Sequence, residues 1–183
     1  MKNNTATDYQ NIIQNCQNLF RKKNQDYGTS WRILRLSSLT DQIYIKAKRI
    51  RSIQEKGTQK IEDGIETEFI GIINYCIMAL IQIDLKTETA LNLSAEFIDE
   101  LYTKRANKNW ELLANKNHDY DEAWRDMRVS SMTDLILMKL LRIKQIEDNN
   151  GQTLVSEGIE SGYQDIINYA IFCLILMQSY PNS

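Results

Sequence analysis

The chain has 183 residues, which is enough for one domain or for two small ones. Its 22 basic and 24 acidic residues give a net charge of -2 and a pI of about 5.5. This balance excludes the basic surface by which proteins bind DNA or RNA without sequence preference, although it allows a local basic pocket for a small anion.

The first half of the sequence predicts three helices. Its apolar residues recur at every third or fourth position, which is typical of helices rather than strands. The expected spans are about 8–23, 38–56 and 61–85. Ser38 and Asp41 have the spacing of a capping box at the start of the second helix, and Gly57 ends that helix. A linker over 86–93 follows.

The second half predicts three more helices, over about 94–115, 131–148 and 154–180. Ser131 and Asp134 repeat the capping box, and Asn149–Gly151 forms the turn before the last helix. We therefore expect an all-α protein. Its two three-helix repeats, 1–85 and 94–183, would pack as one antiparallel bundle.

The two halves also match residue by residue. Residue 119 minus residue 26 gives a shift of 93 positions, and one inserted residue makes the shift 94 in the last helix. The matched segments include Lys23–Tyr27 with Lys116–Tyr120, Ser37–Asp41 with Ser130–Asp134, and Ile72–Tyr75 with Ile166–Tyr169. Such a tandem duplication predicts a covalent pseudo-dimer, because a half of this size buries too little surface alone. Residues that both halves keep serve the fold or a site.

Nothing in the sequence predicts a membrane segment or a disulfide. The two most apolar stretches, 69–85 and 166–177, are shorter than the roughly 20 residues that a membrane span needs. Cys16, Cys76 and Cys173 lie among apolar residues at uneven spacing, which favours buried thiols in a reducing cytosol. We expect a cytoplasmic protein, and the sequence leaves open whether it forms a homo-oligomer.

Each half carries a Lys-x-x-Arg pair on its second helix, Lys46 with Arg49 and Lys139 with Arg142. Residues three apart share one side of a helix, and isoleucines beside them place these cations at the edge of the buried face. They would bind either a ligand phosphate, which arginine grips with its planar fork, or carboxylates on the next helix. The carboxylates in reach are Asp63 and Glu66 in the first half and Glu157, Glu160 and Asp165 in the second.

The last helix carries a polar stripe. At 3.6 residues per turn one side collects Glu157, Glu160, Ser161, Gln164, Asp165 and Asn168, and the first half keeps Asp63, Glu66, Thr67 and Asn74. Carboxylates one turn apart can share a magnesium ion, with water and phosphate completing its shell. Alternatively, the acids complement the helix dipole, and the two asparagines hydrogen-bond across the bundle.

Aromatic and acidic residues recur between the first and second helix of each half. They are Asp26, Tyr27 and Trp31 in the first half and Asp119, Tyr120 and Trp124 in the second. Such rings can stack on a nucleobase while a carboxylate binds its donors, or they can close the end of the bundle. The lone His118 matches Gln25, so it is not a base that both halves need.

These strings together resemble the nucleotide-modification-associated domain family. The resemblance rests on Lys-x-x-Asp-Tyr-x-x-x-Trp, on Lys-x-x-Arg-Ile, and on an acidic helix containing Asn-Tyr. The first repeat matches at Lys23, Asp26, Tyr27, Gly28, Trp31, Lys46, Arg49, Ile50, Asn74 and Tyr75. The second repeat matches at Lys116, Asp119, Tyr120, Trp124, Lys139, Arg142, Ile143, Asp165, Asn168, Tyr169 and Ala170. The match covers most of both repeats.

Through its helical pattern this family is similar, at a distance, to the all-α nucleoside triphosphate pyrophosphatases of the MazG type. That resemblance implies magnesium held by Glu-x-x-Glu on one helix and Glu-x-x-Asp on the next. Here the second and fifth helices carry basic pairs in place of Glu-x-x-Glu. The other window has Glu68 with Gly71 in one repeat and Gly162 with Asp165 in the other. A site across the repeats, or no catalysis, fits this pattern better than a metal site within one repeat.

Three functions remain open. The first is a magnesium-dependent nucleoside triphosphate pyrophosphohydrolase. In it Glu157, Glu160 and Asp165 hold the metal, Lys139 and Arg142 bind phosphates, and Tyr120 or Trp124 faces the base. The second is a noncatalytic nucleotide-binding module, and the third is a structural or interaction protein. The expected partner is a small-molecule nucleotide rather than a nucleic acid or a membrane.

Overall fold

The computed structural model describes residues 4–57, 64–120, 122–155 and 157–179, without the side chains of 118–120 and 179. Within these ranges the chain forms helices and no strands. The helices are α1 Thr5–Tyr27, α2 Leu36–Lys56, α3 Ile65–Asp84, α4 Ala95–Tyr120, α5 Val129–Asp148 and α6 Ile159–Ser179. Short 3-10 turns, Ser30–Ile33 and Ala123–Asp126, precede α2 and α5. The predicted all-α class is confirmed.

The two repeats share one core. Helices α2, α3, α5 and α6 form a central four-helix bundle, in which α3 packs on α6 and α2 packs on α5. Helix α1 packs on α4, and each of the two also contacts the third helix of the other repeat. The α3–α6, α2–α5 and α1–α4 contacts each join equivalent helices of the two repeats. The α1–α6 contact is the equivalent of the α3–α4 contact. The fold is therefore the predicted pseudo-dimer around an approximate two-fold axis.

The apolar faces of α3 and α6 pack between the two repeats and predict that neither repeat is stable alone. In α3 the buried residues include Phe69, Ile72, Ile73, Cys76 and Ile77, none of them exposed. In α6 the buried residues include Ile166, Ala170, Ile171 and Cys173. Burying one such aliphatic side chain contributes roughly 1.5–3 kcal/mol. Separating the repeats would expose these faces together.

Hydrogen bonds between α2 and α5 obey the same two-fold relation. Thr40 donates to Glu147 over 2.8 Å, and Gln54 donates to Thr133 over 3.1 Å. Thr40 matches Thr133 and Gln54 matches Glu147 in the duplication. Each repeat therefore uses the same two positions to bind the other, as in an isologous interface.

Asn74 and Asn168, both predicted to bind nucleotide, hold helices together instead. Asn74 accepts a bond from Tyr102 over 2.8 Å, and Asn168 accepts one from Asn109 over 2.7 Å. Asn109 also donates to Tyr9 over 2.9 Å, and Tyr9 is the counterpart of Tyr102. Both asparagines are buried. Their placement supports the alternative expectation, hydrogen bonding across the bundle.

The predicted capping boxes are wrong. Helices α2 and α5 begin at Leu36 and Val129, so Ser38 and Ser131 lie inside the first turn. The preceding residues, Arg35 and Arg128, make no side-chain cap. Each 3-10 turn ends just before its helix, so that the first helical residues, Leu36 and Val129, already pack against the core.

Helix α6 begins later than predicted. Leu154 and Val155 are almost fully exposed, and Gly158 has a φ of 91°. This φ is far from the helical value of about -60° and is one that glycine adopts readily. The helix therefore begins at the next residue, Ile159. Glu157 therefore precedes α6. The predicted start of the third helix, 61–63, lies outside the described residues.

Among the described helices, α3 alone is long and apolar enough to cross a membrane by length and composition. However, 56% of its most apolar window is buried inside the bundle. The helix thus has the packing of a core helix. Cys16, Cys76 and Cys173 are buried free thiols, as expected.

One buried arginine ties three helices together. Arg105 on α4 is 5% exposed and binds Asp84, the last residue of α3, through two bonds of 2.7 and 2.6 Å. It also donates to Glu160 at the start of α6 over 2.6 Å. Arg105 and Lys108 hold the pKa of the Glu160 carboxyl below its ordinary value.

Replacing Arg105 by methionine is expected to lower the free energy of unfolding by about 3 kcal/mol, because two carboxylates lose a shared buried partner. Urea unfolding followed by circular dichroism measures this change. The control is Arg51→Met, which removes exposed pairs with Glu55 and Asp134 and should leave the free energy of unfolding nearly unchanged. Equal losses in both variants would contradict a central role for Arg105.

The Glu147 carboxyl gives a second test. Burial raises its pKa above the ordinary 4.5, although Thr40 and Tyr163 donate hydrogen bonds to it. The folded state thus holds this proton more tightly than the unfolded chain. That stabilisation is complete below pH 4.5 and is lost as the pH rises through the raised value.

Glu147→Gln should therefore unfold at a higher temperature than the parent at pH 7. The gain should vanish as the pH falls below about 4.5, where the parent carboxyl is also neutral. Thermal melts across this pH range measure it. Glu55→Gln is the control, since Arg51 lowers the pKa of that carboxyl and no gain is expected. A Glu147→Gln gain that ignores pH would refute the assignment.

Candidate functional site

The basic pair of the first repeat is bound to an acid. Glu68 on α3 accepts from Lys46 over 3.3 Å and from Arg49 over 2.5 Å, and its side chain is 12% exposed. The expected partners were Asp63, which lies outside the described residues, and Glu66, which is exposed. The prediction of Glu66 is wrong because side chains two positions apart on a helix point in directions that differ by about 200°. Glu68 therefore faces α2, whereas Glu66 faces solvent.

Gly71 makes room for this arrangement. A Cβ atom at Gly71 would come within 2.9 Å of the Lys46 side chain. Lys46 thus crosses α3 at the glycine, and its ammonium lies 5.8 Å from the centroid of the Tyr75 ring. That distance is within cation–π range.

The second repeat reverses the pattern. Asp165, the counterpart of Gly71, accepts from Lys139 over 2.7 Å and from Lys116 over 3.3 Å. Gly162 stands at the counterpart of Glu68, and a Cβ there would come within 2.9 Å of Ile143. Arg142 consequently makes no hydrogen bond or ion pair within the described part of the chain.

The predicted magnesium ligands do not assemble. Glu160 binds Arg105 and Lys108, Asp165 binds Lys139, and Glu157 lies outside the helix that was to align it. Among the residues that the structure describes, no three His, Cys, Asp or Glu side chains converge as metal ligands do. Cations already neutralise two of the three carboxylates, so this set does not fit a divalent metal.

The first repeat has an aromatic cleft between α1, the first 3-10 turn and α3. Its volume is about 490 Å³. The lining residues are Phe20, Lys23, Asn24, Tyr27, Gly28, Ser30, Trp31, Ile33, Leu34, Tyr75 and Met78. Tyr27 is 71% exposed. Tyr27 and Trp31 thus lie together as predicted, whereas Asp26 is exposed and does not line the cleft.

A matching cleft of about 400 Å³ lies in the second repeat. Its lining residues are Leu113, Lys116, Asn117, Ala123, Trp124, Met127, Asp165, Asn168, Tyr169 and Phe172. Eight of these are the counterparts of Phe20, Lys23, Asn24, Ser30, Trp31, Leu34, Tyr75 and Met78. The duplication therefore preserved a cleft, and Asp119 and Tyr120 beside it lie outside the described side chains.

The tryptophan ring is covered in the second cleft. Phe172 stacks on Trp124 with centroids 4.1 Å apart and planes 5° apart. The Arg125 guanidinium lies 4.4 Å from the same ring, and Trp124 is 7% exposed. Trp124 therefore closes the end of the bundle, and it is not placed to stack on a base.

The first cleft keeps its polar groups unused. Lys23 makes no ion pair within the described ranges, because its counterpart's partner, Asp165, is Gly71 here. Among the described residues, Asn24 Oδ1 and Trp31 Nε1 are buried without a hydrogen-bond partner, and so is Trp124 Nε1 in the second cleft. Lys23 and Tyr75 were not among the predicted site residues. Their retention in both repeats was the signal that could have identified them.

One comparison with known proteins identifies the chain. The model of the family described as nucleotide modification associated domain 1 matches twice, at residues 23–83 and 116–177. One match lies within each repeat, and the two matches contain both basic pairs and all the lining residues of the two aromatic clefts except Phe20 and Leu113. No curated protein and no solved structure matches the chain. The chain belongs to the nucleotide modification associated domain 1 family.

Proposed function

We propose that this protein is a nucleotide-binding module whose site is the aromatic cleft of the first repeat. One observation carries the proposal. Residues that the duplication kept converge on a cleft in each repeat, and of the two clefts the first leaves its aromatic and cationic groups open. The family description, which concerns nucleotide modification, agrees with a nucleotide ligand.

The base would lie among Tyr27, Trp31 and Tyr75. Phe20 supports Trp31 from within the bundle, with ring centroids 6.3 Å apart and planes at 58°. Tyr27 also lines the cleft and is largely exposed. Stacking on such rings contributes roughly 1–3 kcal/mol per base. Asn24, which lines the cleft, would bind the base edge through its amide.

The phosphates would lie near Lys23. Its ammonium is exposed at the cleft, and no described carboxylate binds it. Lys46 approaches the same cleft from α2 because it lies over Tyr75. Lys46 is shared with Glu68, so Lys23 supplies the uncommitted charge.

Binding without hydrolysis fits these residues better than a pyrophosphohydrolase. A magnesium-dependent reaction needs several oxygens converging on one metal. Here Glu68, Glu160 and Asp165 are each held by lysine or arginine.

The buried free thiols further support a reducing, cytoplasmic location.

Tyr27→Ala should weaken nucleotide binding by about 5- to 150-fold, which corresponds to the loss of one stacking ring. Tyr27 is largely exposed, so its removal should leave the melting temperature unchanged. The measurement is thermal stabilisation and calorimetric titration with a panel of nucleoside mono-, di- and triphosphates, each with and without magnesium.

Lysine variants provide a matched comparison. Lys23→Ala should weaken triphosphate binding more than nucleoside binding, whereas Lys22→Ala, at an exposed neighbour outside the cleft, should change neither. Absence of binding by every nucleotide would leave the structural role. Magnesium-dependent release of pyrophosphate by the parent protein would overturn the noncatalytic assignment.

A further inference from the structure

A third cleft, larger than the two aromatic clefts, lies between α5 and α6 in the second repeat. Its volume is about 550 Å³. Lys139, Arg142 and Ser161 supply polar groups to its lining, and Ile143, Ile146 and Val155 supply apolar surface. It lies on different elements from the aromatic cleft of the first repeat.

The duplication shows what is unusual about this cleft. In the first repeat Arg49 donates to Glu68 over 2.5 Å. In the second repeat the counterpart of Glu68 is Gly162, which lines the cleft. The arginine was kept, but the acid that neutralised it is absent. Arg142 thus brings an uncommitted guanidinium to a cavity.

From this geometry we propose that the α5–α6 cleft binds the phosphate group of a small phosphorylated molecule, at a site separate from the nucleotide cleft. Arg142 presents a planar fork that suits two phosphate oxygens. Lys139 lines the same cleft but is bound to Asp165, so Arg142 carries the charge that the phosphate would meet. The Ser161 hydroxyl, now bonded to the Gly158 carbonyl over 3.2 Å, can turn toward a ligand. The nonphosphate part would lie on Ile146, which is partly exposed in the lining.

The two acidic residues in this cleft, Asp165 and Glu157, predict how charge substitutions change the affinity for phosphate. Asp165 is already bound by Lys139 and Lys116, so it repels an incoming anion weakly. Glu157 is exposed, lines the cleft and has no ion pair among the described residues. Neutralising Glu157 should therefore strengthen phosphate binding, whereas neutralising Arg142 should weaken it.

The experiment titrates inorganic pyrophosphate into the full chain by calorimetry, without nucleotide. Arg142→Gln should raise the dissociation constant by about tenfold or more, and Glu157→Gln should lower it. Arg51→Gln, which removes an exposed arginine outside the cleft, should leave it unchanged. Arg142 is exposed and makes no described bond, so the variant should keep the parent melting temperature.

Three results would overturn the proposal. They are absence of pyrophosphate binding by the parent, equal binding by the Arg142→Gln variant, and equal binding of acetate, which would indicate a general carboxylate site. Lys23→Ala distinguishes the two clefts. It should weaken nucleotide binding and leave pyrophosphate binding intact, so loss of pyrophosphate binding in that variant would place the phosphate in the first cleft instead.

Discussion

The contact between α3 and α6 is the constraint on which the rest of the fold depends. Most residues of both helices are apolar, and each helix packs on its own repeat with one face and on the other repeat with another. A three-helix unit of this size leaves a large fraction of its surface in water. The second copy supplies the missing cover, and the equivalent bonds Thr40–Glu147 and Gln54–Thr133 fix its register. Arg105 then ties the end of α3 to the start of α6.

The two repeats share one core, and they can differ at positions that do not contribute to it. The acid at Glu68 is a glycine in the second repeat, and the acid at Asp165 is a glycine in the first. Each glycine removes a carboxylate and also makes space, for Lys46 beside Gly71 and for Ile143 beside Gly162. The consequence is opposite in the two halves. Counting the described residues only, Lys23 has no ion pair and lies beside the exposed Tyr27 in the first repeat, and Arg142 has none and lines a large cleft in the second.

The sequence predicted the helices and the duplication well, because helical periodicity and repeated strings are local signals. It predicted the chemistry poorly wherever a partner came from a distant helix. Glu160 and Asp165 have the spacing of metal ligands, but Arg105 and Lys108 on α4 bind the first of them. Nothing in the spacing within α6 reveals those cations. Likewise, both repeats have a tryptophan at the same position, Trp31 and Trp124, but Phe172 and Arg125 cover the second ring. The tryptophan motif alone does not reveal that cover.

The shared core is tested most directly by separating the repeats. Residues 1–90 and 91–183 would be produced as two polypeptides and followed by circular dichroism and analytical ultracentrifugation. The fold predicts that neither half unfolds cooperatively as a monomer, and that mixing them restores a helical species whose stability depends on concentration. A half that melts cooperatively as a monomer, independently of concentration and of the other half, would contradict a core that belongs to both.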